Sequence, residues 1–236
     1  MVKDFDTIFF DLDGTLLDLS DADFEKIYIQ EAAKFFLDVV SFDEFVKHLW
    51  KGTEAMLNNT KPRPVVDAFF EYFAPITGLT HDEAKSRFIR FYNTTFDKLK
   101  AVSFPVPYGS KLIEDLKEAG YKLVLATQPV FYKVATEKRI MWAGLDKNDF
   151  IHYTHAENSF FCKPYPQYFQ SLLEISRSEP ERTLMVGNDL LFDTASKRLG
   201  IRSWLTDTHV TNHDHPKATE PDFRGSLKEL HEFLLS

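Results

Sequence analysis

Residues 7–17 read TIFFDLDGTLL, and this stretch decides how the rest of the chain is interpreted. It begins with a short apolar run, Thr7 to Phe10, that stops at Asp11. A continuous apolar run of this length is typical of a strand that is buried on both faces of a parallel sheet. Because ligands bind at the carboxyl ends of such strands, Asp11 and Asp13 are the first candidates for a functional site.

Short apolar runs alternate with helical stretches in the C-terminal half of the chain, beginning near Phe104. Strands that alternate with helices in this way form right-handed βαβ units, so the pattern predicts a parallel sheet covered by helices on both faces. The predicted strands are 121–126, 151–154, 183–186 and 201–205, and the predicted helices are 111–119, 131–142, 164–175 and 191–199.

The segment from about Ser20 to Phe96 carries only helical patterns. Ser41–Glu44 and Thr80–Glu83 have capping-box spacing, and Ser20–Asp23 is a shorter relative of that signal. Apolar stripes at the helical period follow these starts. The predicted fold class is therefore α/β, with a Rossmann-like parallel sheet core (residues 1–18 and 100–236) and an inserted all-helical domain (residues 19–99).

Composition and charge limit the class of partner. The 236 residues carry a net charge of −8, which argues against nucleic acid or an anionic membrane surface, since both need a basic footprint. Cys162 is the only cysteine, so neither an internal disulfide nor a cysteine-based zinc site is expected. No stretch reads as a signal peptide or approaches the ~20 apolar residues of a membrane span, and a cytoplasmic location is expected. The sequence carries no signal for an oligomeric state.

Polar residues follow four of the predicted strands at one edge of the sheet. Any one of them alone is explained as a helix cap or a surface charge. Together they form an anionic cluster with one lysine and one hydroxyl, which suits a hydrated Mg²⁺ ion and a phosphate group. The residues of this cluster are Asp11, Asp13, Thr127, Lys163, Asn188, Asp189 and Asp193.

Four motifs in this order resemble those of the haloacid dehalogenase superfamily of hydrolases. The first is the segment Phe9 to Leu17, and the others are Ala126-Thr127, Cys162-Lys163-Pro164, and Val186-Gly187-Asn188-Asp189 through Asp193. The resemblance spans nearly the whole predicted core. The helical block has the position of the family's C1 cap, which lies over the active site, so the chain is similar to the C1-capped, phosphatase-like branch.

The resemblance implies a role for each residue of the site. Asp11 would attack phosphorus and form an aspartyl-phosphate, and Asp13 would protonate the leaving alcohol and then deprotonate the attacking water. Lys163 would screen the negative charges, and Thr127 would hydrogen-bond the phosphoryl oxygens. Gln128 is a further substrate-binding candidate, although the family more often has Asn there.

The expected cofactor is Mg²⁺, held by the Asp11 side chain, the Asp13 carbonyl and one residue of the fourth motif. An alignment anchored on the glycine makes Asn188 the third ligand, whereas one anchored on the spacing to Asp193 makes it Asp189. We favour Asp189 because Mg²⁺ is a hard cation that is usually held through carboxylates. Asn188 would then orient a water or Asp11, and Asp193 would fix the loop or pair with Lys163.

Asp13 favours phosphate-ester chemistry, because dehalogenases and phosphonatases of the superfamily generally lack an acid at this position. The function predicted is that of a magnesium-dependent phosphatase acting on a small phosphorylated metabolite. A sugar-phosphate mutase of the same fold and a catalytically retired protein that binds phospho-ligands are the alternatives. His209, His213 and His215 are predicted to lie in a solvated loop rather than in a metal site.

Overall fold

A six-stranded parallel sheet forms the centre of the structure, a computed structural model that describes residues 5–19 and 21–236. Its strand order is β5-β4-β1-β6-β7-β8, while β2 and β3 form a separate antiparallel pair. The eight strands are β1 (Thr7–Phe10), β2 (Leu17–Leu19), β3 (Ser103–Pro105), β4 (Lys122–Leu125), β5 (His152–Tyr153), β6 (Thr183–Gly187), β7 (Arg202–Thr206) and β8 (Phe223–Gly225).

The position of β1 in this sheet determines where the site lies. All four of its residues are buried, as a strand between two parallel neighbours requires. Phe10 is in register with Leu125 of β4 and Val186 of β6. The three strands therefore end at the same level, and the residues that follow them meet at one edge of the sheet.

Eight α-helices accompany the strands in the part of the chain that the structure describes. The capping boxes predicted at Ser41–Glu44 and Thr80–Glu83 are confirmed at the starts of two helices, whereas Ser20 lies outside the described residues. The helices are α1 (Asp21–Ala33), α2 (Phe42–Leu57), α3 (Val65–Thr77), α4 (His81–Thr94), α5 (Gly109–Glu118), α6 (Lys133–Trp142), α7 (Pro166–Ser176) and α8 (Leu227–Leu235). None of these described helices has the length and apolar character needed to cross a bilayer.

The helix predicted over 191–199 is wrong in its first turn. The chain forms a turn there and then a 3₁₀ helix, Thr194–Leu199. The cause is the Asp189 carboxylate, whose Oδ1 accepts from the main-chain N–H of Leu191 and of Phe192 at 2.7 Å each. A side chain that satisfies these donors locally competes with the helical pattern.

Helices α1 to α4 follow β2 and precede β3, and they pack through aromatic side chains onto the rest of the protein. Phe36 of this block lies 4.8 Å from Phe88 between ring centroids, and the ring of Phe96 stacks on Trp142 of α6 at 5.2 Å. Buried residues of the block and of the sheet belong to one continuous hydrophobic cluster. The α/β class with a parallel sheet is confirmed, while the boundaries of a separate 19–99 domain stay a prediction.

Candidate active site

A buried lysine joins two carboxylates at the end of β1. Lys163 Nζ donates to Asp11 Oδ1 at 2.8 Å and to Asp193 Oδ1 at 2.6 Å. The three residues are 2%, 7% and 3% exposed, respectively. A buried charge is costly unless it is paired and hydrogen-bonded, so Lys163 stabilises both acids in place.

Burial and charge oppose each other in this triad. Burial raises the pKa of Asp11 and raises that of Asp193 to about 7, although the lysine opposes the shift in both. Burial alone would lower the pKa of Lys163, but the two acids together raise it above its usual value. Lys163 therefore stays charged and supplies a fixed positive charge beside Asp11.

Asp189 organises the loop after β6. Its Oδ1 accepts the two main-chain N–H groups named above, and its Oδ2 accepts from Thr211 Oγ1 at 2.7 Å and Asn212 Nδ2 at 2.6 Å. Asp193 Oδ2 in turn accepts from the Asp189 N–H at 3.0 Å. A carboxylate has about four acceptor sites, so a cation bound to Asp189 would replace one of these donors. The choice of Asp189 as a metal ligand stays a prediction.

Asn188 contacts the loop that carries Asp11 and Asp13. Its Nδ2 donates to the His209 carbonyl at 2.8 Å, and its Oδ1 accepts from Thr15 Oγ1 at 3.3 Å. Gly14 has φ +79°, and a Cβ at this residue would lie 2.3 Å from Asn188 Nδ2. Only glycine combines that backbone conformation with so close an approach, which explains the glycine after Asp13.

Gln128 contacts the main chain of Lys163 through both ends of its amide. Its Oε1 accepts from the Lys163 N–H at 2.9 Å, and its Nε2 donates to the Lys163 carbonyl at 3.1 Å. This pair of hydrogen bonds fixes the segment from which the lysine side chain extends. Thr127 is buried beside it and lines the same cavity as Asp11. Phosphate binding by Thr127 and Gln128 stays a prediction.

Arg139, which the sequence interpretation missed, pairs with Asp13. Its guanidinium contacts Asp13 Oδ2, lies 4.2 Å from the ring centroid of Phe131, and is fully buried. Asp13 Oδ1 is buried and has no hydrogen-bond partner among the described residues. Arg139 occurs on the buried side of α6 next to Ile140, and an arginine within an apolar stripe is the signal that could have identified it.

Asp13 lines two cavities. The smaller, about 170 Å³, is lined by the acids of the cluster together with Thr127, Gln128 and Lys163. The larger, about 450 Å³, lies between α1, α2 and the segment after β4. Asp13 and Leu19 line both. His209, predicted to be in a solvated loop, also lines the smaller cavity, and its Nε2 lies 2.8 Å from Asp18 Oδ1.

Comparisons with known proteins identify the family of the chain. A family model described as haloacid dehalogenase-like hydrolase matches residues 5–196. The chain is 23% identical to a protein named pyrophosphatase PpaX from Anoxybacillus flavithermus, in an alignment of 219 residues that covers 92% of this chain and 90% of that protein. It is 26% identical to a protein named phosphoglycolate phosphatase from Mesorhizobium japonicum, in an alignment of 235 residues that covers 97% of this chain and 96% of that protein.

A solved structure gives the same result for the fold. The crystal structure of a predicted phosphoglycolate phosphatase from Haemophilus somnus aligns over 99% of both chains with a TM-score of 0.62 and 20% identity. At this identity the likeness concerns the fold alone. The family model, however, covers most of the sequence, including all four motifs. The chain therefore belongs to the haloacid dehalogenase-like hydrolase family.

Proposed function

We propose that this hydrolase is a magnesium-dependent phosphatase that acts on a small phosphorylated metabolite through an aspartyl-phosphate at Asp11. The observation that carries the proposal is the buried Lys163, held between Asp11 and Asp193 at the end of β1. Asp13 lies two residues further on and lines both the smaller and the larger cavity. Relatives named as phosphatases support the reaction class.

The reaction needs two displacements at phosphorus. In the first, a carboxylate oxygen of Asp11 forms a bond to phosphorus while the bond to the leaving oxygen breaks. Asp13, which must be protonated at this step and therefore lose its ion pair with Arg139, gives its proton to that oxygen. In the second, Asp13 takes a proton from water as the water oxygen bonds to phosphorus, and the aspartyl bond breaks. Inorganic phosphate and the free alcohol are the products, and both aspartates return to their starting forms.

The residues that line the smaller cavity carry oxygen atoms, which are the donors that Mg²⁺ prefers, and they include Asp11, Asn188 and Asp189. A cation at Asp189 would replace one of the four donors that its carboxylate now accepts. We propose that the Asp11 side chain, the Asp13 carbonyl and Asp189 hold the ion. When bound, it neutralises charge on the phosphoryl oxygens, which lets an anionic carboxylate approach them.

Replacing the nucleophile tests the function. Asp11→Asn should lower the rate of p-nitrophenyl phosphate hydrolysis by at least ~1,000-fold, because only positioning and charge stabilisation remain. Asp13→Asn should instead accumulate a phosphorylated protein that intact-mass measurement detects, since p-nitrophenol leaves without a proton from Asp13. An Asp11→Asn enzyme that keeps more than about a tenth of the rate, worth only ~1.4 kcal/mol, would contradict the assignment.

A further inference from the structure

The larger cavity has mostly apolar walls that include four aromatic residues. Phe24, Tyr28 and Ile29 of α1 form one side, and Leu49 and Trp50 of α2 form another. Phe131, from the segment after β4, closes the wall, and its ring lies 5.6 Å from that of Tyr28. A volume of about 450 Å³ is within the range of small-molecule sites.

The polar side chains that line this cavity either form hydrogen bonds with other protein groups or are acidic. The Tyr28 hydroxyl lies 2.8 Å from the Tyr92 hydroxyl, and Thr53 Oγ1 donates to the Leu49 carbonyl at 2.9 Å. Asp13 and Glu25 are the acidic residues on its walls, and no lysine, arginine or histidine is among the described residues that line it. A second negative charge on a ligand would therefore meet repulsion without a counter-ion.

The nearest buried cation does not serve that purpose. Arg139 is fully buried beneath Phe131 and contacts the Asp13 carboxylate. Its charge is neutralised by that pair, and its guanidinium is not part of the wall of the larger cavity.

The shared position of Asp13 gives the two cavities separate roles. An oxygen that Asp13 protonates bridges the phosphorus, in the smaller cavity, to the leaving group, in the larger one. We infer that the substrate is a phosphate monoester whose leaving alcohol is uncharged and apolar or aromatic, bound between α1 and α2. This inference rests on the proposed phosphatase function and names the chemistry of its substrate. The same walls argue against the mutase alternative, because a bisphosphate needs a cation for its second phosphate.

The test compares leaving groups that differ in charge. With Mg²⁺ present, kcat/KM for 2-phenylethyl phosphate should exceed that for phosphoglycolate and for pyrophosphate, whose leaving groups are anionic, by roughly 100-fold. A higher value for any anionic leaving group would overturn the inference and leave the phosphatase function standing.

A variant that adds a cation makes the test specific. Trp50 lines the cavity and is 47% exposed, so an arginine in its place can be accommodated. Trp50→Arg should lower the ratio of kcat/KM for 2-phenylethyl phosphate to kcat/KM for phosphoglycolate at least ~10-fold. The matched control is Ile76→Arg on α3, a 43% exposed apolar residue that does not line the cavity, and it should leave the ratio unchanged. Equal effects of both variants would contradict the inference.

Binding measurements separate this inference from the phosphatase function. Calorimetric titration should show that benzylphosphonate binds at least ~10-fold more tightly than phosphonoacetate, whether or not any ester is hydrolysed. A protein that hydrolyses no phosphate ester but keeps this preference would refute the phosphatase function alone. Equal binding of the two phosphonates would refute the apolar leaving-group site.

Discussion

The contact between Arg139 and Asp13 leads to the sharpest prediction. Arg139→Met removes the only described cation that pairs with the Asp13 carboxylate, and it replaces the guanidinium with an uncharged chain of similar length. Asp13 Oδ2 then loses its partner, while Oδ1 has none among the described residues. The carboxylate, which lines both cavities, becomes free to rotate.

The expected magnitudes follow from burial. The Asp13 side chain is 32% exposed, so water can hydrate it when the arginine is gone. The loss in free energy of unfolding is therefore smaller than for a fully buried pair. Loss of the ion pair and of the contact with Phe131 should reduce the free energy of unfolding by about 1–3 kcal/mol. A misplacement of Asp13 by ~1 Å should lower the rate of proton transfer ~100-fold, equivalent to ~2.7 kcal/mol.

The assay uses two substrates that differ in their need for a proton. For 2-phenylethyl phosphate, whose alcohol must be protonated as it leaves, the rate of alcohol release in a single turnover should fall ~100-fold in Arg139→Met. For p-nitrophenyl phosphate the corresponding release of p-nitrophenolate should fall less than ~5-fold, because p-nitrophenolate leaves unprotonated. Hydrolysis of the aspartyl-phosphate, which uses Asp13 as the base, should slow for both substrates. Arg139→Lys should recover part of the loss.

The control is Arg90→Met on α4, where an exposed arginine lies 5.7 Å from the ring of Phe35. It makes the same chemical change next to an aromatic ring away from Asp13, and kcat should be unchanged. Equal losses in the single-turnover release of both leaving groups in Arg139→Met would refute the positioning role and indicate a general effect on the fold. Full activity on 2-phenylethyl phosphate would refute it as well.

Three further predictions concern the loops around the site. Gln128→Ala removes two hydrogen bonds to the main chain of Lys163. Urea unfolding should therefore show a free energy of unfolding lower by ~1–2 kcal/mol, and kcat should fall ~10-fold. Unchanged values would show that the contact is dispensable. Asp189→Ala should raise the Mg²⁺ concentration for half-maximal rate at least ~10-fold and Asn188→Ala should raise it less, and the reverse order would make Asn188 the ligand. Burial lowers the pKa of His155 to about 4. Between about pH 6.5 and pH 4 the unfolded chain therefore binds a proton at His155 that the folded chain does not. The free energy of unfolding should fall as the pH falls through this window. In His155→Gln this fall should be shallower.

The sequence alone determined the family and the parallel sheet, and it predicted that Asp11 and Lys163 lie together. The apolar run before Asp11 and the alternation of strands and helices depend on local periodicity, which one sequence displays directly. Since parallel strands carry their ligands at one end, the positions of Asp11 and Lys163 after two such strands were enough to predict that they meet. The structure brings them to 2.8 Å.

Short or side-chain-directed features were beyond the sequence. The three-residue strands β2 and β3 are too short to show a period, and they pair with each other although helices α1 to α4 separate them in sequence. The turn at Asp189 replaced a predicted helix because one carboxylate satisfied two main-chain donors.

Tertiary structure alone decided the chemistry around Asp13. Arg139 lies 126 residues away in sequence, and the direction of its side chain depends on how α6 packs against the sheet. The aromatic wall likewise needs Tyr28 of α1 and Trp50 of α2 to face one cavity, which depends on the packing of those helices. A sequence pattern gives the buried face of each helix separately, whereas the contact between faces comes from the packing of the whole chain.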